Sequence, residues 1–121
     1  MTSTNPNLSS SKLVPPHGSS ELKPLLLKGE ARKQALKLAS TLPTITLSSR
    51  ERGDLIMLGI GGFTPLNSFM NQADWQCVVD NMRLQSCDNV CLFWPIPITL
   101  SAPKATADNL NHGDNVALVA A

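Results

Sequence analysis

The chain has 121 residues, 42% of them hydrophobic and 16% charged, with a formal net charge of +1. That length holds one domain. The apolar share excludes wholesale disorder, and the near-even charge excludes the basic excess of a dedicated nucleic-acid domain. Charge is low beside the usual ~25%, so part of the surface is expected to be covered. No apolar run reaches the ~18 residues of a membrane span. Met1 to Ser11 lacks the basic and apolar regions of a secretory signal, and the expected location is the cytoplasm.

Residues 1–12 are polar and aperiodic and read as a disordered tail, leaving 13–121 as the domain. Leu13-Val14-Pro15-Pro16-His17-Gly18 is extended and turns at the glycine. Leu25-Leu26-Leu27 fits a strand or a buried turn, which periodicity does not separate at that length. Glu30 to Ser40 places Ala31, Ala35, Leu38 and Ala39 on one helical face, with Arg32, Lys33 and Lys37 largely elsewhere. Thr44 to Leu47 alternates polar and apolar residues and reads as a strand.

Ser48 and Glu51 have the spacing of a capping box. The helix behind it, Ser49 to Leu58, is expected to bury Leu55, Ile56 and Leu58 and to stop at Gly59. Gly59 to Leu66 follows as a loop. Asn71 to Asp74 caps a third helix, whose Trp75, Val78, Val79 and Met82 recur at i, i+3, i+4 and i+7. Val90 to Ser101 is the clearest strand pattern, with Trp94, Ile96, Ile98 and Leu100 on one face. Pro95 and Pro97 require an edge or an irregularity there. Asn111-His112-Gly113-Asp114 is a turn. Val116 to Val119 begins a last strand, whose exposed edge reads as a domain incomplete at its C-terminus.

Chemistry-bearing patterns are sparse. The glycines of residues 59–62 lack the Lys-Ser/Thr ending of a phosphate-binding loop and read as a tight turn. Cys77, Cys87 and Cys91 are odd in number, Cys87-x3-Cys91 is a lone pair, and His17 and His112 lie far from each other. Neither a disulfide framework nor a zinc site follows. His17 and His112 read as surface or turn residues, and Trp75 and Trp94 as core anchors rather than base-stacking platforms. Asp54 and Asp74 suit the positive ends of their helices. Arg50, Arg52 and Arg83 each lie near carboxylates and form no basic stripe.

Several segments taken together resemble a known family. They are Leu13-Val14-Pro15-Pro16-His17-Gly18, Leu47-Ser48-Ser49-Arg50-Glu51, Gly53-Asp54-Leu55-Ile56-Met57-Leu58, Gly61-Gly62-Phe63-Thr64-Pro65-Leu66 with Phe69-Met70, Ala73-Asp74-Trp75, Met82-Arg83-Leu84 and Trp94-Pro95-Ile96-Pro97-Ile98-Thr99-Leu100. In this order they resemble the N-terminal region of ATP sulfurylase (sulfate adenylyltransferase), and the wording leans toward the dissimilatory type.

The resemblance implies an α+β fold, a PUA-like β-barrel with short packed helices. It implies a whole enzyme that joins ATP, with magnesium, to sulfate as adenosine 5′-phosphosulfate and pyrophosphate. The family's chemistry lies in a later Gln-x-Arg-Asn-Pro and His-x-x-His motif, absent from this sequence. No catalytic, cofactor-binding or metal residue is therefore carried over, and the chain alone is expected to be inactive. The expected partner is the missing catalytic domain or a second subunit, in a homo-oligomer.

Two positions depart from the family pattern. Ser68 replaces a glycine, at a cost of about 1 kcal/mol if its φ is positive. Residues 85–93 lengthen a short turn. The rival readings are a PUA-like RNA-binding module, against which the charge argues, and a stand-alone interaction protein.

Overall fold

The computed structural model describes residues 13–85 and 92–120. The expected tail, Cys87 and Cys91, and most of the lengthened 85–93 turn lie outside these residues.

Helix α1 spans Gly29–Ala39 and buries no residue. Of the face expected from periodicity, Ala35 and Ala39 are half-buried, while Ala31 and Leu38 are exposed. The leucine run before it is neither strand nor buried turn. It is an exposed strap pinned through its backbone. The Leu25 and Leu26 amides donate to the Gly59 carbonyl at 2.9 and 3.1 Å, and the Lys23 amide to Thr64 Oγ1 at 3.1 Å.

Strand β1, Thr44–Leu47, buries Ile45 and Leu47 in the expected alternation. Helix α2, Ser49–Ile60, starts at the capping box that the sequence spells out. Its end differs from expectation. Gly59 stays helical, and Gly61, at φ +83°, is the left-handed stop. The Gly62 amide reaches Met57 O at 2.8 Å and the Gly61 amide reaches Leu58 O at 3.2 Å, a Schellman closure. A Cβ on Gly61 would also sit 3.1 Å from the Pro24 nitrogen, so the strap as well as the turn demands glycine there. Leu58 is buried and Leu55 half-buried, but Ile56 is exposed.

Helix α3, Gln72–Asn81, is capped by Asn71 Oδ1 on the Asp74 amide at 2.8 Å and stopped by Met82 in the left-handed region. It packs against β2, Arg83–Leu84. Its buried residues are Asp74 and Val78, one helical turn apart; the expected anchor Trp75 is exposed, as are Val79 and Met82. Val78 enters the core beside Leu58, Leu84 and Trp94, and the rest of the apolar stripe stays open.

Strand β3, Leu92–Phe93, pairs antiparallel with β2. The long strand expected to Ser101 is not formed. After Phe93 the chain is irregular. Trp94 and Ile98 are buried, four residues apart, whereas Ile96 is 62% exposed. Pro95 and Pro97 supply no amide to a ladder, so period-two alternation has no sheet to enforce it. A five-residue helix α4, Lys104–Asp108, precedes β4, Ala117–Ala120. β4 pairs parallel with β1, Thr44 opposite Ala117 through Leu47 opposite Ala120. Asn111 to Asp114 forms the expected turn, with Gly113 at φ +94°. Ser68 carries no positive φ, so the cost expected at that position does not arise.

The fold is mixed α and β, with two separate two-stranded sheets among the described residues rather than a closed barrel. Its core is Leu58, Leu66, Val78, Leu84, Trp94 and Ile98, with Phe63, Phe69, Met70 and Leu92 packed around it.

Candidate functional site

The sequence gives no strand or helix pattern that would put Leu13–Gly18 beside the Trp94–Ile98 segment, yet the two meet. His17 Nε2 donates to the Phe93 carbonyl at 2.6 Å, and the His17 ring lies 6.0 Å from Trp94, tilted by 42°. Gly18 makes the approach possible: at φ +69°, a Cβ there would lie 2.5 Å from Leu92 Cδ2. Phe63, from the loop after α2, meets Trp94 edge-on at 6.0 Å. Arg83 covers the other ring, its guanidinium carbon 5.5 Å from the Phe93 centroid.

His17, Phe63, Phe93 and Trp94 help to wall a cleft of about 470 Å³. Trp94 and Ile98 form its base. Phe93, Pro95, Ile96 and Pro97 form its outer lip, and Arg50 and Asp54 close one end. The charged end is self-satisfied: Arg50 Nη1 donates to Asp54 Oδ2 at 2.8 Å and Nη2 to the Thr99 carbonyl at 3.3 Å. The guanidinium thus has a carboxylate partner of its own at the end of the cleft. What remains is an apolar slot with an exposed isoleucine and aromatic ring at its mouth. Such a slot takes an aliphatic, aromatic or proline group.

Glu51 organises the ground beside the cleft. It is 1% exposed. Its Oε1 accepts from the Ser48 amide at 2.9 Å, as the capping box requires. Its Oε2 accepts from both the amide and the hydroxyl of Ser101, fifty residues away. The Ser101 amide, then the Ser48 amide and the two hydroxyls, hold its carboxyl at about 2 from an ordinary 4.5, against the opposing effect of burial. The capping half of this role is legible in the sequence. The clamp onto Ser101 is not, because no local signal specifies a partner that distant.

The other singled-out residues resolve as structural. The Gly59–Leu66 loop is the Schellman turn, with buried Thr64 Oγ1 donating to the Gly61 carbonyl at 2.7 Å and the strap packed against it. Asp74 accepts from the Gln85 amide at 3.0 Å, tying α3 to the hairpin. His112 lies exposed in its turn, and Cys77 is a half-buried free thiol. No cluster of three potential metal ligands occurs among the described residues. None of their helices is long and apolar enough to cross a membrane.

The PUA-like domain family matches residues 14–121, and the chain belongs to that family. Within it, the chain aligns with one particular kind of protein. It is 83% identical over 120 residues to a sulfate adenylyltransferase of Psychrobacter cryohalolentis, covering 99% of this chain and 29% of that protein. It is 57% identical over 108 residues to the sulfate adenylyltransferase of Ruthia magnifica, covering 89% of this chain and 25% of that protein. Among solved structures, a hexameric APS kinase from Thiobacillus denitrificans superposes with a TM-score of 0.73 at 33% identity, over 88% of this chain and 20% of that one. The chain thus corresponds to the N-terminal part of sulfate adenylyltransferases and spans less than a third of the length of the curated relatives it matches.

Proposed function

We propose that the chain is the non-catalytic N-terminal part of an enzyme that converts ATP and sulfate to adenosine 5′-phosphosulfate and pyrophosphate. The observation that carries this reading is the 83% identity across essentially the whole chain to a sulfate adenylyltransferase. We extend the proposal to a cytoplasmic homo-oligomer in which residues 13–121 are the PUA-like domain.

The residues present do not fit ATP with magnesium. Arg50 is engaged by Asp54 and Thr99, and Glu51 by Ser48 and Ser101. The glycine turn is filled from outside by Pro24. No catalytic step is therefore assigned to this chain. Its contribution is mechanical: a rigid core presenting apolar surface to the remaining protein.

A sulfate-dependent pyrophosphate-release assay tests the reading. The 121-residue chain is expected to give background, and the full-length Psychrobacter cryohalolentis enzyme carrying this chain in place of its matched segment is expected to turn over. Turnover by the chain alone, or an inactive but folded chimera, overturns it.

A further inference from the structure

We infer that the groove between the leucine strap and α1 is the seat for an apolar, acid-flanked surface of the portion of sulfate adenylyltransferase outside this chain. The inference rests on the functional reading above and adds the place and the chemistry of the contact.

Helix α1 is the starting point. An isolated helix of fewer than ~12 residues is marginal in water, and helices in proteins owe their stability to packing of an apolar face. α1 has 11 residues and buries none. Leu36 is 55% exposed in its middle. The strap facing it is held by backbone bonds to Gly59 and Thr64 instead of by burial of its side chains. Leu25, Leu26 and Leu27 are therefore fixed in position yet left exposed. Between strap and helix runs a groove of about 540 Å³, with Leu36, Phe69 and Leu118 completing its apolar lining. A surface whose backbone is already ordered loses little entropy when covered.

Charge selects the occupant. Arg32 lines the groove, and exposed Lys23, Lys28, Lys33 and Lys37 sit on the strap and helix that bound it, against Glu21 and Glu30, while the remaining sequence has more acidic than basic residues. Two copies of this face in a two-fold contact would set like charges against one another. A partner with acidic residues flanking an apolar ridge meets no such opposition. The supply of such a partner follows from length: most of the matched relatives' sequence lies outside this region. A surface on the same polypeptide is present at high effective concentration.

The test is thiol accessibility, read by mass spectrometry of maleimide-labelled peptides. Leu36→Cys is placed in the 121-residue chain and in the full-length chimera, with Gln34→Cys, two positions away on α1, as the control. The expected result is slowing of Leu36→Cys labelling by at least ~10-fold in the chimera, with Gln34→Cys unchanged. K33E/K37E in the chimera is expected to restore fast labelling by removing the charge match. Equal labelling of Leu36→Cys in both proteins overturns the inference. So does slowing in the 121-residue chain that grows with its concentration, which makes the occupant a second copy. Slowing produced only by phosphatidylserine vesicles overturns it as well, making the occupant a membrane. Chimera activity reports separately on the functional reading: a protected but inactive chimera sinks that reading and leaves the contact standing.

Discussion

Helices α1 and α2 have similar lengths, and α1 has the more sharply segregated apolar face, yet it is α2 that is used for burial. α2 drives Leu58 into a core shared with Leu84 and Trp94, and its first turn holds Glu51 in a clamp to Ser101. α1 buries nothing, and the leucines beside it stay in water. The difference lies in what surrounds each helix. α2 has neighbours within the chain on several sides, whereas α1 faces a groove open to solvent. A helical stripe therefore reports only a capacity for burial, and whether it is used depends on polypeptide far away in sequence or outside it.

The largest break in this contrast should come from the core. Leu84 is 1% exposed, and Leu84→Ala is expected to destabilise the chain by about 2–5 kcal/mol through lost transfer energy and a residual cavity. Urea unfolding at constant m-value measures it. Leu36→Ala in the same chain is expected to change stability by less than about 0.5 kcal/mol, as at other exposed positions. If the two variants were equally damaging, the contrast between core and groove would be wrong.

Ser48→Ala should cost about 1 kcal/mol, because it removes the cap on the Glu51 amide and one of the bonds that hold the Glu51 carboxylate. Thermal unfolding of the variant checks this, and an unchanged Tm would mean the capping box contributes nothing.

The Glu51 clamp also has a pH signature. Its folded value is depressed to about 2, so its contribution is fully present above 4.5 and is lost as pH falls toward 2. Wild type should lose stability across that window relative to Glu51→Gln, and parallel curves for the two proteins would remove the clamp. The smallest effect belongs to the rim of the cleft. Asp54→Asn breaks an Arg50 pair whose arginine is half-exposed, and should shift stability by no more than about 0.2–1 kcal/mol, less at high salt.

Local rules made much of the framework legible. Ser48 and Glu51 gave the start of α2, Asn71 that of α3, and the alternation of residues 44–47 gave β1. The departures from expectation have separate physical causes. Gly59 is the nearer glycine after the apolar run, but Gly61 is the left-handed stop, at a position where Pro24 also leaves no room for a side chain. Trp75, Val79 and Met82 continue the apolar stripe of α3 and its cap, but only Asp74 and Val78 of the helix are buried. The strand pattern of residues 94–100 is not formed, and of the two alternatives that Pro95 and Pro97 left, an edge or an irregularity, the structure shows the irregular one, with Trp94 and Ile98 buried in the core.

By itself, the sequence determined what depends on residues within a few positions of each other: caps, turns, the β1 alternation, and the ordered motifs that resemble sulfate adenylyltransferase. Tertiary structure alone decided which apolar faces are covered, which carboxylate is clamped fifty residues away, and that Leu13–Gly18 meets Trp94. Those outcomes are set by long-range contacts, and burial is a property of the neighbour as much as of the residue.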